Sequence, residues 1–277
     1  MSSYIHSKRG GSHIIDLTKT VDHLEKALNF IYETAASGKQ ILLVSTKQQA
    51  QVAIKATAEA TNMPYVTERW LGGMMTNSNT INGRIKHLKD LEEKMSSGEL
   101  ANRYSKLEVQ RFQEEIEAMN HMYGGIKEMH AKVGAVFVID IVNDINAVKE
   151  ARKLGIPVVA LVDTNADPSL ITYPIACNDD ATKAITLIML HVQKAIEAGK
   201  AKQKVAAPVD ETDTPKKAVK TEESESEEEL VELNIPEVDK KLEEKLEKQV
   251  EKVDQEITAK KVASKATKKD KADKEDK

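Results

Sequence analysis

The chain has 277 residues, one cysteine, one tryptophan and a formal net charge of −4. Residues 1–200 balance 23 basic against 23 acidic side chains, while 201–277 carry 18 Lys against 22 Asp and Glu and so hold the whole net charge. A lone Cys177 excludes an internal disulfide framework, the lack of a long apolar run excludes a membrane helix, and "MSSYIHSKRGGSH" lacks the apolar stretch of a secretory signal. These features point to a soluble, cytoplasmic protein with one folded domain. A tail follows that is too poor in apolar side chains to offset chain entropy.

In chain order, "HIIDL" (13–17) reads as a weak strand. "TVDHLEKALNFIYETA" then places Leu24, Leu28, Ile31 and Ala35 on one helical stripe. "QILLVST" (40–46), "VGAVFVID" (133–140) and "IPVVALVD" (156–163) are short Val- and Ile-rich runs that read as buried strands. Helical patterns follow them in "QQAQVAIKATAEAT" and "DINAVKEARKL", the second ended by Gly155. "DDATKAITLIMLHVQKAIEAG" is read as the last helix, with Asp179 and Asp180 as charges at its start and Gly199 at its end. The alternation implies an α/β fold, a parallel sheet covered by helices on both faces.

From Thr76 to Tyr123 the rhythm changes. Ile81, Ile85, Leu88 and Met95, then Val109, Phe112, Ile116, Met119 and Tyr123, recur at heptad spacing. "SSGELANR" supplies a turn between the two runs, and Ser105 with Glu108 forms a capping box. The spacing predicts an inserted antiparallel coiled-coil helical hairpin over 76–123. Residues 1–75 and 124–199 then form one discontinuous α/β domain, and 200–277 a low-complexity charged tail. Within the tail, which is otherwise expected to be disordered, Leu242, Leu246, Val250, Val253 and Ile257 predict at most a partly formed, solitary exposed helix at about 237–262.

Three stretches are candidates for contact with a ligand. "TERWLGGMMTN" sets Trp70 beside Arg69, ahead of Gly72, Gly73, Thr76 and Asn77. Trp70 fits a core position at the root of the hairpin. Arg69 and Arg84 fit phosphate contacts, with the glycines allowing close backbone approach and Thr76 or Asn77 capping the next helix. The glycine pair could also cradle a nucleotide phosphate at a helix start. "HSKRGGSH" (6–13) offers Lys8 and Arg9 as a basic arm or a plain flexible terminus. Lys47 stands at a strand's C-terminal end, where open α/β sheets bind ligands.

Against enzyme chemistry, the sequence has no G-x-G-x-x-G, no G-x-x-x-x-G-K-[ST], no H-E-x-x-H and no G-x-S-x-G. "VDTNADP" (162–168) starts like a calcium loop but has Pro168 where the loop needs glycine, so it reads as a polar turn. No catalytic residue, metal site or cofactor site is assigned. A doubly wound nucleotide- or sugar-phosphate-binding enzyme stays as the alternative, because fold alone does not decide function.

The stretches "GGSHIIDLTKTVDHLEKALNFI", "ILLVSTKQQAQVAIK", "MPYVTERWLGGMMTN", "VFVID", "AVKEARKLGIPVVALVDTNADP" and "YPIACNDDATKAI" together resemble the bacterial-type small-subunit ribosomal protein S-two family. The resemblance runs from about residue 4 to 199. It implies a flavodoxin-like domain with an inserted coiled-coil hairpin, no enzyme activity, and no cofactor. It also implies a structural place in the small ribosomal subunit, bound to ribosomal RNA and neighbouring ribosomal proteins, including the large mRNA-binding ribosomal protein S-one. RNA contacts are then expected from Lys8, Arg9, Lys47, Arg69, Gly72, Gly73, Thr76, Asn77, Arg84, Lys86 and Lys89. Three departures stand out. Family members usually carry a His- and aromatic-containing segment with several basic residues ahead of the point where this chain begins. Asn79, Asn82, Gly83 and His87 stand where the family often has Lys or Arg. The charged tail has no assigned counterpart.

Overall fold

The computed structural model describes residues 4–129 and 133–206. The helix expected near 237–262 lies outside them, as does the expected tail beyond residue 206. The chain divides into two units, Met1–Ala201 and Lys202–Lys277. Apart from the last turn of its final helix, everything below concerns the first.

Five parallel strands form the sheet: β3 (Ile41–Val44), β4 (Tyr65–Val66), β5 (Ala135–Val138), β6 (Val158–Val162) and β7 (Tyr173–Ala176), in the order β4-β3-β5-β6-β7. Numbered within the sheet that order is 2-1-3-4-5, the flavodoxin-like winding, whose direction reverses between β3 and β5. Every residue of β3, β5 and β6 is buried, as a parallel sheet covered on both faces requires. Alternate side chains go to opposite faces. Ile41, Leu43, Phe137 and Leu161 join one core with α1 (Leu17–Ala36), α2 (Gln48–Thr61) and α7 (Thr182–Ala206). Leu42, Val44, Val138 and Val162 join the other with α6 (Ile145–Lys153), Trp70, Met74 and Met75.

Several expectations are corrected. "HIIDL" does not join the main sheet. Ser12–Ile15 (β2) pairs antiparallel with Ile5–Arg9 (β1) in a separate hairpin. Its turn is Gly10-Gly11, at φ of 58° and 88°, the positive-φ pair that a two-residue hairpin loop needs. So "HSKRGGSH" is an ordered ribbon rather than a flexible arm. Gly199 does not end the last helix, which runs to Ala206. It sits against α1, where a Cβ would meet the Tyr32 carbonyl at 2.6 Å and the Ala35 Cβ at 2.7 Å. Its smallness serves helix packing, not termination. Two strands, β4 and β7, were not expected. One is two residues long, and the other contains Pro174, which an edge strand tolerates.

The segment between β4 and β5 is helical, as the spacing predicts: α3 (Ser78–Ser96), a short α4 (Glu99–Arg103) inside the expected turn, and α5 (Lys106–Tyr123). Ile81 and Ile85 at the start of α3 share a core with Tyr123 at the end of α5 and with Ile126 beyond it. The two ends of the segment therefore meet in one core. Ile81, Ile85, Leu88 and Leu91 are buried on α3, but only Met119 on α5. Val109, Phe112 and Ile116 are half-buried, and Phe112 meets Tyr104 edge-on with centroids 5.2 Å apart. Glu108 accepts hydrogen bonds from the Ser105 backbone N–H (3.0 Å) and hydroxyl (2.9 Å), fixing the start of α5.

Candidate nucleic-acid interface

The loop between β4 and α3 folds around a residue 74 to 80 positions away. Glu150 projects from α6, between the buried Ala147 and Ala151. Its Oε1 accepts from the Trp70 indole N–H (3.1 Å) and the Gly73 N–H (2.8 Å). Its Oε2 accepts from the Met75 N–H (3.1 Å), the Thr76 N–H (3.2 Å) and the Thr76 hydroxyl (3.1 Å). Burial pushes the Glu150 carboxyl up, but the donors of Gly73, Trp70, Thr76 and Met75 outweigh it and hold it below the usual carboxylate value.

Around that carboxylate the loop sorts into inside and outside. Trp70, Met74 and Met75 are buried in the core that α6 shares with the start of α3. Arg69, Gly72, Thr76 and Asn77 are exposed. Gly73 takes φ of 87°, and a Cβ there would press on the Asn77 Cβ at 3.2 Å. A Cβ on Gly72 would meet nothing within 4 Å. Asn77 takes the N-cap position of α3 without a side-chain cap bond. Its side chain instead accepts from the Thr80 hydroxyl at 3.0 Å. Further along α3, Arg84, Lys86 and Lys89 are exposed, and Lys89 pairs with Glu128 at 2.9 Å. Arg69, Arg84 and Lys86 make no ion pair among the described residues.

Lys8 and Arg9 are exposed on β1. Their hairpin docks beside α1 through Tyr4, whose carbonyl accepts from the Asp16 N–H (2.9 Å) and whose ring meets His23 edge-on. The core beneath α1 is the one that excludes Trp70. No contact among the described residues ties these two basic side chains to the Arg69 loop.

Lys47 occupies a different environment. It follows β3 at the point where the sheet order reverses, the place where this winding holds its ligands. Its side chain is 13% exposed and pairs with Asp179 (2.7 Å), Asp180 (2.7 Å) and Asp140 (3.4 Å). Burial works against the ammonium, but Asp179, Asp180 and Asp140 outweigh it and raise its pKa. Burial raises the Asp179 carboxyl despite Lys47. Asp140 also accepts from the Val142 and Asn143 N–H groups, and Asp144 accepts from the Thr46 N–H. Burial raises Asp144, helped by the charge of Asp140. Lys47 is thus engaged by the chain's own carboxylates, and the expected phosphate contact meets a side chain already paired. Asp179 and Asp180, read as helix-start charges, are members of this cluster. Carboxylate oxygens of Asp163, Asp179 and Asp180 lie within 4.8 Å of one another, and two of these residues already bind the Lys47 ammonium. In "DTNADP", Asp167 caps the turn at Pro168–Leu170 by accepting from the Ser169 N–H and hydroxyl.

Sequence reading found the loop but missed Glu150, Asp140 and Asp144. "AVKEARK" gives no sign that its one acid turns inward, since the partners lie 74 to 80 positions earlier in the chain. Asp140 ends an apolar strand run, and that position alone was the available signal.

Comparison with known proteins adds the family. The pattern described as "Ribosomal protein S2" matches residues 1–199. A "Small ribosomal subunit protein uS2" of Roseiflexus sp. (strain RS-1) is 46% identical over 210 residues, 76% of this chain and 80% of the relative. The protein of the same name from Roseiflexus castenholzii is 47% identical over 200 residues, covering 72% and 76%. That from Fusobacterium nucleatum is 44% identical over 199 residues, covering 72% and 81%. No helix among the described residues is long and apolar enough to cross a membrane. With the flavodoxin-like sheet and the matched residues taken together, the chain belongs to the ribosomal protein S2 family, structural constituents of the small ribosomal subunit.

Proposed function

We propose that this constituent of the small ribosomal subunit grips ribosomal RNA mainly through the outer side of the 69–77 loop and the first turns of α3. The carrying observation is the split in that loop. Trp70 and the backbone N–H groups turn inward to one carboxylate, while Arg69, Gly72, Thr76 and Asn77 stay outside, with Arg84 and Lys86 on the next helix. Free basic side chains next to approachable backbone suit a phosphate strand. No internal contact demands glycine at position 72, which leaves that space for a ligand. Gly73 is fixed by its own backbone and contributes shape.

Lys8 and Arg9 form a second, separate basic strip, and Lys89 a weaker contact already shared with Glu128. Lys47 stays out of the proposed set because three carboxylates hold it. The nucleotide-enzyme alternative finds no support, since the cation at the position it would use is held by Asp140, Asp179 and Asp180. Residues 76–123 act in this reading as an antiparallel coiled-coil hairpin inserted into the domain of 1–75 and 124–199. The charged residues that follow α7 keep the reading of a low-complexity tail. Neighbouring small-subunit proteins are the protein partners, and S-one docking is the finer proposal that the resemblance carries.

The test is reconstitution of small subunits with Lys8, Arg9, Arg69 and Arg84 replaced by Gln. Weaker incorporation with a flatter salt dependence supports the reading. Unaltered incorporation and salt sensitivity overturn it.

A further inference from the structure

We propose that Glu150 is a positioning residue for RNA binding: by collecting five hydrogen bonds, its carboxylate holds the 69–77 loop in the shape that presents Arg69, Gly72 and Asn77 outward. This rests on the reading that the loop meets RNA. The loop's own backbone supplies only part of that shape, through the positive φ of Gly73 and two hydrogen bonds. Between Trp70 and Asn77 the backbone makes few bonds of its own, from Met74 N–H to the Leu71 carbonyl and from Asn77 N–H to the Gly73 carbonyl. The N–H groups of Gly73, Met75 and Thr76 all converge on Glu150, together with the Trp70 indole. A converging set of backbone N–H groups is a natural anion site. Here the protein fills that site with its own carboxylate, and the phosphate-binding work passes to the outer side of the loop.

The position also carries an electrostatic signature. Glu150 is a negative charge beneath a surface meant for phosphates, so removing it by electrostatics alone would strengthen RNA binding. Positioning predicts the opposite sign. An amide in place of the carboxylate has one accepting oxygen, and its NH2 group confronts N–H donors that it cannot satisfy. The loop then loses its fixed form while every phosphate-facing side chain is kept.

The experiment compares full-length E150Q, E150D and R69Q. Each is tested for cooperative unfolding, for amide exchange of Gly73, Met75 and Thr76, and for incorporation into reconstituted small subunits across a salt series. For E150Q the expected result is cooperative unfolding, at least tenfold faster exchange at those three amides, and about tenfold weaker incorporation with an unchanged salt slope. R69Q should keep slow exchange but show a flatter slope, by about 0.7–0.9 for one phosphate no longer neutralised. E150D, which keeps the charge but shortens the reach, should fall between wild type and E150Q, and it carries the test if E150Q does not fold. Wild-type or tighter incorporation of E150Q overturns the proposal, as does unchanged exchange at the three amides. If R69Q instead incorporates with an unaltered slope, the RNA reading of the loop fails, whatever E150Q does to the amides.

Discussion

Two basic residues, Arg69 and Lys47, invite the same reading from sequence, and the fold gives them opposite circumstances. Lys47 stands at the sheet's ligand-binding position, yet Asp140, Asp179 and Asp180 surround its ammonium. Arg69 stands in a loop with no G-x-G-x-x-G or G-x-x-x-x-G-K-[ST] phosphate fingerprint, yet it is exposed and without an ion pair among the described residues. In the Arg69 loop both nearby acids are engaged elsewhere, Glu150 by N–H donors and Glu68 by Lys55 at 3.2 Å. The difference lies in where the carboxylates point. A cation offered to a ligand needs its neighbouring acids engaged elsewhere, and a cation at a favoured fold position serves structure when they are not.

The largest effect that sharpens this contrast is expected at Lys47. Lys47→Met would leave Asp140 and Asp179 nearly buried without their counter-charge, a loss of about 3–5 kcal/mol that denaturant unfolding would register. A shift under about 1 kcal/mol would show that the cluster is not structural. Because the Lys47 pKa is raised above its ordinary value of 10.5, its contribution is complete below that pH and is lost as pH rises toward the folded value.

Next comes Glu150. Its pKa is lowered from an ordinary 4.5, so its contribution is present above that pH and disappears as acid titrates the folded carboxyl. E150Q should cost about 1–3 kcal/mol near neutrality and should be less sensitive than wild type to acid below pH 4.5. An acid limb identical in the two proteins would contradict the hydrogen-bond account. Smaller still, Trp70→Phe keeps the ring in the core but removes one donor, for about 1 kcal/mol. A loss as large as that for E150Q would mean that packing, not the hydrogen bond, fixes the ring.

The fold was legible where local chemistry settles it. β3, β5 and β6 are uninterrupted apolar runs because both their faces are covered, and the helices α3 and α5 announce themselves by their apolar spacing and the Ser105–Glu108 box. β4 was illegible because two residues carry no periodicity, and β7 because Pro174 demotes a strand pattern. Gly199 misled because a glycine near a helix end looks the same in sequence whether it stops the helix or lets α1 approach. The site was legible only in part. Trp70 as a buried ring and Arg69 as its exposed neighbour follow from residue type, whereas the fate of Lys47 depends on Asp179, 132 positions away, and the loop's shape on Glu150. Such pairings are set by the winding of the sheet, which no local window contains.

The outward side of the loop is tested most directly by the R69Q/R84Q double variant. Both side chains are exposed, so the thermal midpoint should stay close to wild type, within about ±0.5 kcal/mol of stability per site. The measurement is incorporation into reconstituted small subunits as a function of salt. The account predicts weaker incorporation, with a slope against log salt reduced by about 0.7–0.9 for each phosphate that the variant no longer neutralises. A double variant that incorporates with wild-type strength and wild-type slope would contradict it.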